Sequence, residues 1–226
     1  MIIYYLKGIV IDIGLFLLRF FPKVGKIKRI HRIFYLRKLS RTDGAAAAVE
    51  FARDLGVTVG KDCRLYSTNF GVEPFLIELG DNVLVSGEVI FVTHDGAVNI
   101  FRNEITNIVG NYGKIKIGNN CFIGVGAIIL PNIQLGDNCI VCAGAVVADS
   151  FPDNSVIMGN PARIIFKTEM YKKMKLSSNL TLYDDECSFP ESDYLPYETR
   201  KKFILDKIGN IPIRKPHRVK DPLKNK

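Results

Sequence analysis

Residues 117–146 read IGNNCF IGVGAI ILPNIQ LGDNCI VCAGAV when broken into sixes. Aliphatic side chains return every sixth place, at Ile117, Ile123, Ile129, Leu135, Val141 and Val147. Four places after each comes a mostly small residue: Cys121, Ala127, Ile133, Cys139, Ala145 and Phe151. Glycine follows the aliphatic residue at 118, 124 and 136. A period of two predicts a strand and 3.6 predicts a helix, and six is neither. It fits a coil in which every hexad is one short strand and one turn, as in hexapeptide β-helices. Three hexads close one triangular coil, so residues eighteen apart stack at about 4.8 Å. Cys121 and Cys139 then share the prism interior, where a free thiol packs as a small hydrophobe, and Cys142 falls at a corner with the glycines.

Upstream the same spacing recurs at Val59 and Leu65 and, after a slip of two residues, at Leu79, Val85 and Phe91. LGDNVL there matches LGDNCI of the main block. About a dozen hexads give four coils, a rod of roughly 20 Å. The repeat is interrupted once. After FVTHDG (91–96) come some twenty residues without it, AVNIFRNEITNIVGNYGKIK, and loops of that length in a compact domain carry function or are disordered. His94 stands at the root of this loop, and a lone histidine there suits a general base or a metal ligand.

The rest of the chain bounds the reading. At 226 residues with 47% hydrophobic and 24% charged residues, the chain has enough material for one well-cored domain with appendages. Its net charge of +8 is uneven. Residues 1–41 hold ten Lys/Arg and one Asp, residues 200–226 hold ten Lys/Arg and two acids, and the body between is acidic. Basic ends suit an anionic membrane surface; no nucleic-acid-binding motif accompanies the charge. The opening MIIYYLKGIVIDIGLFLLRFF is interrupted by Lys7, Asp12 and Arg19, too often for a span, and it lacks a signal-peptide cleavage pattern. KVGKIKRIHRIFYLRKLS (23–40) has the spacing of a basic amphipathic helix, either an interfacial anchor or a helix packed on its own oligomer. A further helix is expected at 44–55, capped by Thr42 or Asp43 and stopped by Gly56. Helices are also expected around FKTEMYKKMKLSS and YETRKKFILDKIG, with a basic tail after them. The expected division is therefore 1–56 helical, 57–166 β-helix with a loop at 95–114, and 167–226 helices and tail. Five cysteines without scaffold spacing suit a reducing cytosol. The lone CIVC at 139–142 is explained by the repeat better than by zinc or redox chemistry.

On these hexads, on NFGVEPFLIELGDNVLVSGEVIFVTHDG and on the ending VIMGNPARII, residues 57–167 resemble the hexapeptide-repeat acyltransferases. Within that family the chain is similar to the bacterial polysaccharide and lipopolysaccharide O-acetyltransferases and to the galactoside and maltose acetyltransferases. The resemblance implies a mainly β fold, a left-handed parallel β-helix with N- and C-terminal helices; the handedness comes from the resemblance alone. It implies a cytoplasmic homotrimer, peripheral to the membrane at most. The activity it implies is acetyl transfer from acetyl-CoA to a sugar hydroxyl of a surface polysaccharide or its precursor, without a metal. His94 matches the family's catalytic histidine, which takes the hydroxyl proton as the oxygen attacks the thioester. Glu73, Asp95 and Glu104 are the candidate partners for its other nitrogen, and Glu73, one coil earlier, is favoured. Asn69 matches an acceptor-binding position, and Asp95 is a second candidate acceptor contact. Val125 and Ala143 match positions beside the pantetheine arm of CoA, and Arg163 a phosphate contact. The chain departs from the family at Ala148, Asp149 and Phe166, where the galactoside and maltose enzymes carry CoA-binding side chains, and Lys167 is the candidate substitute. A carbonic anhydrase on this fold would need three histidines from neighbouring coils. N-acetylation of an amino-sugar nucleotide, acyl transfer from an acidic carrier protein and an inactive scaffold are the remaining alternatives.

Overall fold

The computed structural model describes residues 44–104, 110–177 and 197–208. The expected helices before residue 44 lie outside these residues, as do Thr42 and Asp43, the expected caps of the helix at 44–55, and the basic tail.

Helix α1 (Gly44–Leu55) forms from a run of alanines, the best helix formers. It buries Ala45, Ala48, Phe51 and Ala52 against the first turns of the sheet that follows. Gly56 stops it with φ +103°, and Val57 N–H reaches back to Ala52 O while Gly56 N–H reaches Arg53 O. That paired closure is a Schellman cap, which needs a left-handed residue where the helix ends.

The chain then coils as a left-handed parallel β-helix with three flat faces. The first face stacks β1 (Thr58–Val59), β3 (Ile77–Leu79), β8 (Ile115–Ile117) and β11 (Ile133–Leu135). The second stacks β2 (Arg64–Leu65), β4 (Leu84–Val85), β9 (Phe122–Ile123), β12 (Ile140–Val141) and β14 (Ser155–Gly159), closed by antiparallel β15 (Ala162–Lys167). The third stacks β5 (Ile90–Phe91), β10 (Ile128–Ile129) and β13 (Val146–Val147). Inward residues Leu65, Val85, Ile123 and Val141 are wholly buried on the second face, as are Phe91, Ile129 and Val147 on the third. With two- and three-residue strands, no pair of coils is stable alone, and stacking makes the core continuous.

Register departs from a uniform eighteen at three steps. The first coil is two residues longer, since Arg64 pairs with Leu84. The second is longer by the whole loop, with Leu84 opposite Phe122. The last is two shorter, with Ile140 opposite Val156.

A repeated Gly-Asx-Asn turns the corner between the first and second faces. Lys61 N–H donates to Asp81 Oδ1, Asp81 N–H to Asn119 Oδ1, Asn119 N–H to Asp137 Oδ1 and Asp137 N–H to Asp153 Oδ1, at 2.7–2.8 Å. The next residues, Asp62, Asn82, Asn120, Asn138 and Asn154, all have φ between 53 and 61°. Asn and Asp tolerate that left-handed backbone better than other side-chain-bearing residues. Asn82 donates to Asn120 and Asn120 to Asn138, so the corner is an amide ladder.

After β15, helix α2 (Thr168–Leu176) carries the chain out of the first compact unit, which ends at Tyr171. The second unit contains helix α3 (Tyr197–Ile208). No helix among the described residues is long and apolar enough to cross a membrane.

Candidate active site

Where β5 ends the third face, the chain does not turn onto the first face but runs outward. His94 and Asp95 form β6, which pairs antiparallel with β7 (Asn111–Tyr112), so the two legs of the loop are zipped at its base. His94 lies opposite Tyr112, their ring centroids 5.9 Å apart. Gly113 N–H returns to Thr93 O at 2.9 Å and delivers the chain to β8. A pairing this short holds one residue in place at the mouth of the loop, and that residue is His94.

Glu73 reaches the histidine from the preceding coil. Its backbone precedes Pro74, which starts a 3-10 turn (Pro74–Leu76) and fixes the approach. Glu73 Oε2 accepts from the Thr93 hydroxyl at 2.5 Å and sits 2.9 Å from His94 Nδ1. The carboxylate is mostly buried and the imidazole is 39% exposed. The Thr93 hydroxyl holds the Glu73 carboxyl below its ordinary pKa, against burial, and the His94 hydrogen bond adds to the lowering. An ionised Oε2 only accepts, so Nδ1 carries a proton, and in the neutral ring the lone pair then lies on Nε2. A half-exposed imidazole presenting a bare nitrogen can accept a proton from a bound hydroxyl, amine or water.

Of the three carboxylates weighed for this role, the structure brings only Glu73 to the imidazole. Asp95 uses Oδ1 to accept from Ala97 N–H at 2.8 Å, capping the 3-10 turn Gly96–Phe101 inside the loop. Glu104 is exposed beyond that turn, tied back through its N–H to Phe101 O. Asn69 is half-buried on the neighbouring coil, its carbonyl accepting from Phe91 N–H at 3.3 Å.

The candidate CoA contacts occupy other parts of the prism. Val125 and Ala143 stack at the corner between the second and third faces, both exposed, with Gly144 N–H bonded to Val125 O. Arg163 Nη1 pairs with Asp149 Oδ2 at 2.9 Å, both side chains well exposed. Lys167 is exposed at the end of β15, and Phe166 stacks on Tyr171. His94 lies on the other side of the third face from Val125 and Ala143, so one chain does not gather all of these residues around one point.

Thr93 and Tyr112 were not legible as site residues. Thr93 had a signal: the two-residue slip makes the local step twenty, which puts 73 opposite 93. The CIVC sulfurs diverge, Cys139 buried in the core and Cys142 half-buried at the corner. Cys139 N–H donates to Cys121 Sγ at 3.4 Å, and the neighbouring Cys139 sulfur, together with burial, pushes the Cys121 thiol up. Among the described residues no three His, Cys, Asp or Glu side chains gather as a metal site.

Residues 114–149 match the family model described as bacterial transferase hexapeptide (six repeats). Protein CapG of Staphylococcus aureus is 46% identical over 162 residues, 69% of this chain and 86% of CapG. A putative acetyltransferase of Bacillus subtilis, YvoF, is 32% identical over 46% of this chain and 56% of its own length. Among solved structures, a maltose O-acetyltransferase from Clostridium difficile is 27% identical with a TM-score of 0.46, over 62% of this chain and 86% of that one.

Proposed function

The chain belongs to the bacterial hexapeptide transferases, and from that premise we propose that it is an acetyl-CoA-dependent O-acetyltransferase with His94 as general base. The acceptor is a sugar hydroxyl of a surface polysaccharide or its precursor, a reading supported by the sequence resemblance to the O-acetyltransferases. The observation that carries the mechanism is the 2.9 Å contact of His94 Nδ1 with Glu73 beside a half-exposed ring. His94 Nε2 takes the hydroxyl proton as the oxygen adds to the thioester carbonyl. The tetrahedral adduct then expels the CoA sulfur, which recovers the proton from the imidazolium. No acyl-enzyme is formed. Glu73 stabilises the transient imidazolium and keeps the ring from rotating.

The working form is a homotrimer. Outward residues of the first face are polar, Thr58, Glu78, Lys116 and Gln134. Those of the second and third faces are largely apolar: Leu84, Phe122 and Ile140, then Ile90, Ile128 and Val146. Phe122 is 39% and Val125 52% exposed in the single chain, an apolar stripe of the kind that marks an interface. Docking that stripe beside a neighbour's loop would let His94 of one chain face Val125 and Ala143 of the next, and a cyclic ring repeats this geometry. Acetyl-CoA then lies in the cleft between the two chains.

The test is thiol release from acetyl-CoA over a panel of saccharide acceptors. His94→Ala should lower turnover about 10²–10⁴-fold, the range for loss of a general base, while CoA still binds. Near wild-type turnover in that variant would remove His94 from the chemistry.

A further inference from the structure

We infer that Thr93 is a positioning residue for His94: its hydroxyl pins the Glu73 carboxylate and so fixes which nitrogen of the imidazole carries the proton. The inference rests on the general-base reading above.

Thr93 is 1% exposed, one of few buried polar residues in the described core. A hydroxyl has one proton to donate, and here it goes to Glu73 Oε2 at 2.5 Å. That is the same oxygen that meets His94 Nδ1. One carboxylate oxygen therefore gathers two donors, from adjacent residues on one strand end. The arrangement couples them. With the hydroxyl bound, Oε2 stays ionised and acceptor-only and cannot swing from the ring. Without it, the carboxylate keeps only the half-exposed imidazole as a side-chain partner and is free to rotate towards water.

Two further features hold Thr93 in this pose. Its carbonyl accepts from Gly113 N–H at the base of the loop. Its side chain fits against Gly71, where a Cβ would lie 3.0 Å from Thr93 Oγ1 and 2.8 Å from Phe91 O. Gly71 also has φ +68°, so a side chain there is disfavoured twice. The backbone of the earlier coil is thus pressed against the threonine that serves the histidine.

Two near-isosteres separate the hydroxyl from the shape. Thr93→Val keeps the branched shape and removes the hydroxyl; Thr93→Ser keeps the hydroxyl and removes the methyl. The measurement is the ¹⁵N spectrum of the histidine rings in the full-length protein, with His94 assigned by its loss in His94→Gln. Wild type and Thr93→Ser should show a protonated Nδ1 and a bare Nε2, and Thr93→Val should show a mixture of tautomers. In the thiol-release assay Thr93→Val should lose about tenfold in kcat, the worth of one charge-assisted hydrogen bond, with KM for acetyl-CoA unchanged. Thr93→Ser should recover most of that loss. If Thr93→Val fails to fold by circular dichroism, Thr93→Ala carries the same expectation, since it too removes the hydroxyl but sets no methyl group against the carboxylate. An Nδ1–H tautomer in Thr93→Val or Thr93→Ala equal to wild type overturns the inference, as does a Thr93→Ser protein as impaired as Thr93→Val. The base reading fails separately, through an active His94→Ala, and that result would leave the tautomer measurement standing.

Discussion

The charge on Glu73 is tied to the fold through a hydroxyl. Because the Thr93 hydrogen bond, followed by that of His94, holds the carboxyl below its ordinary range, folding and ionisation are linked. A carboxyl whose folded pKa is depressed adds stability above its unfolded pKa, and the contribution is lost as pH falls through the folded value. Glu73→Gln should therefore melt below wild type near neutral pH. The gap should close as the medium is acidified past the carboxylate range, where wild-type Glu73 is itself neutral. Thermal melts across that range check this, and a gap that stays constant would mean the ionised form has no special role. At this scale the sequence was partly legible. His94 stood out because it is the residue on which a six-residue repeat breaks. Glu73 was reached by counting eighteen residues to Phe91, although this coil is longer than eighteen and the carboxylate meets Thr93 and His94. Asp95 could not be placed from sequence, because a local cap on Ala97 N–H consumes its carboxylate.

Among the elements, the hexads were legible because each carries its own inward residue and its own corner. LGDN at 79–82 and again at 135–138 is a strand end, a close contact, a carboxylate for the backbone of the adjacent coil and a left-handed amide. What the period hid is where coils change length. Neither the twenty-residue first step nor the sixteen-residue last one alters the inward pattern inside a strand, and both are absorbed in turns. The corner itself makes a prediction. A Cβ on Gly118 would lie 2.5 Å from Asp137 Oδ1 and 2.6 Å from the Gly136 carbonyl carbon. Backbone cannot yield there without opening the stack. Gly118→Ala should cost about 2 kcal/mol, the scale of overpacking a tight contact, read from urea unfolding. An unchanged midpoint would mean the coils are looser than this contact implies. Cysteine at 121 and 139 is a matter of volume by the same logic, since both sulfurs sit in the column of small residues below this corner.

For the whole molecule, the unequal faces of the prism are the informative feature. A β-helix buries one side of every strand, and the other side is free to be polar. On the first face it is, with Glu78 facing Lys116 across the strands. On the second face Leu84, Phe122 and Ile140 follow one another up the coils, Phe122 exposed and the other two half-buried, and leaving that row in water in a lone chain has a hydrophobic cost. Sequence periodicity alone could not reveal this, because inward residues set the period whatever the outward ones are. The proposed trimer uses that row, so a charge placed in it should be far more disruptive than one on the first face. Phe122→Asp would bury an unpaired carboxylate in an interface but merely solvate it on a free surface. We expect Phe122→Asp to run as a monomer by light scattering, with its circular dichroism intact and acetyl transfer lost. Thr58→Lys, opposite Glu78 on the polar face, should leave both mass and folding unchanged, since an opposite-charge pair across strands is mildly favourable. A Phe122→Asp protein of wild-type mass would place the interface elsewhere. A monomer with full turnover would go further, because the site would then be complete in one chain, and the separation of His94 from Val125 and Ala143 across the third face would have to be bridged some other way.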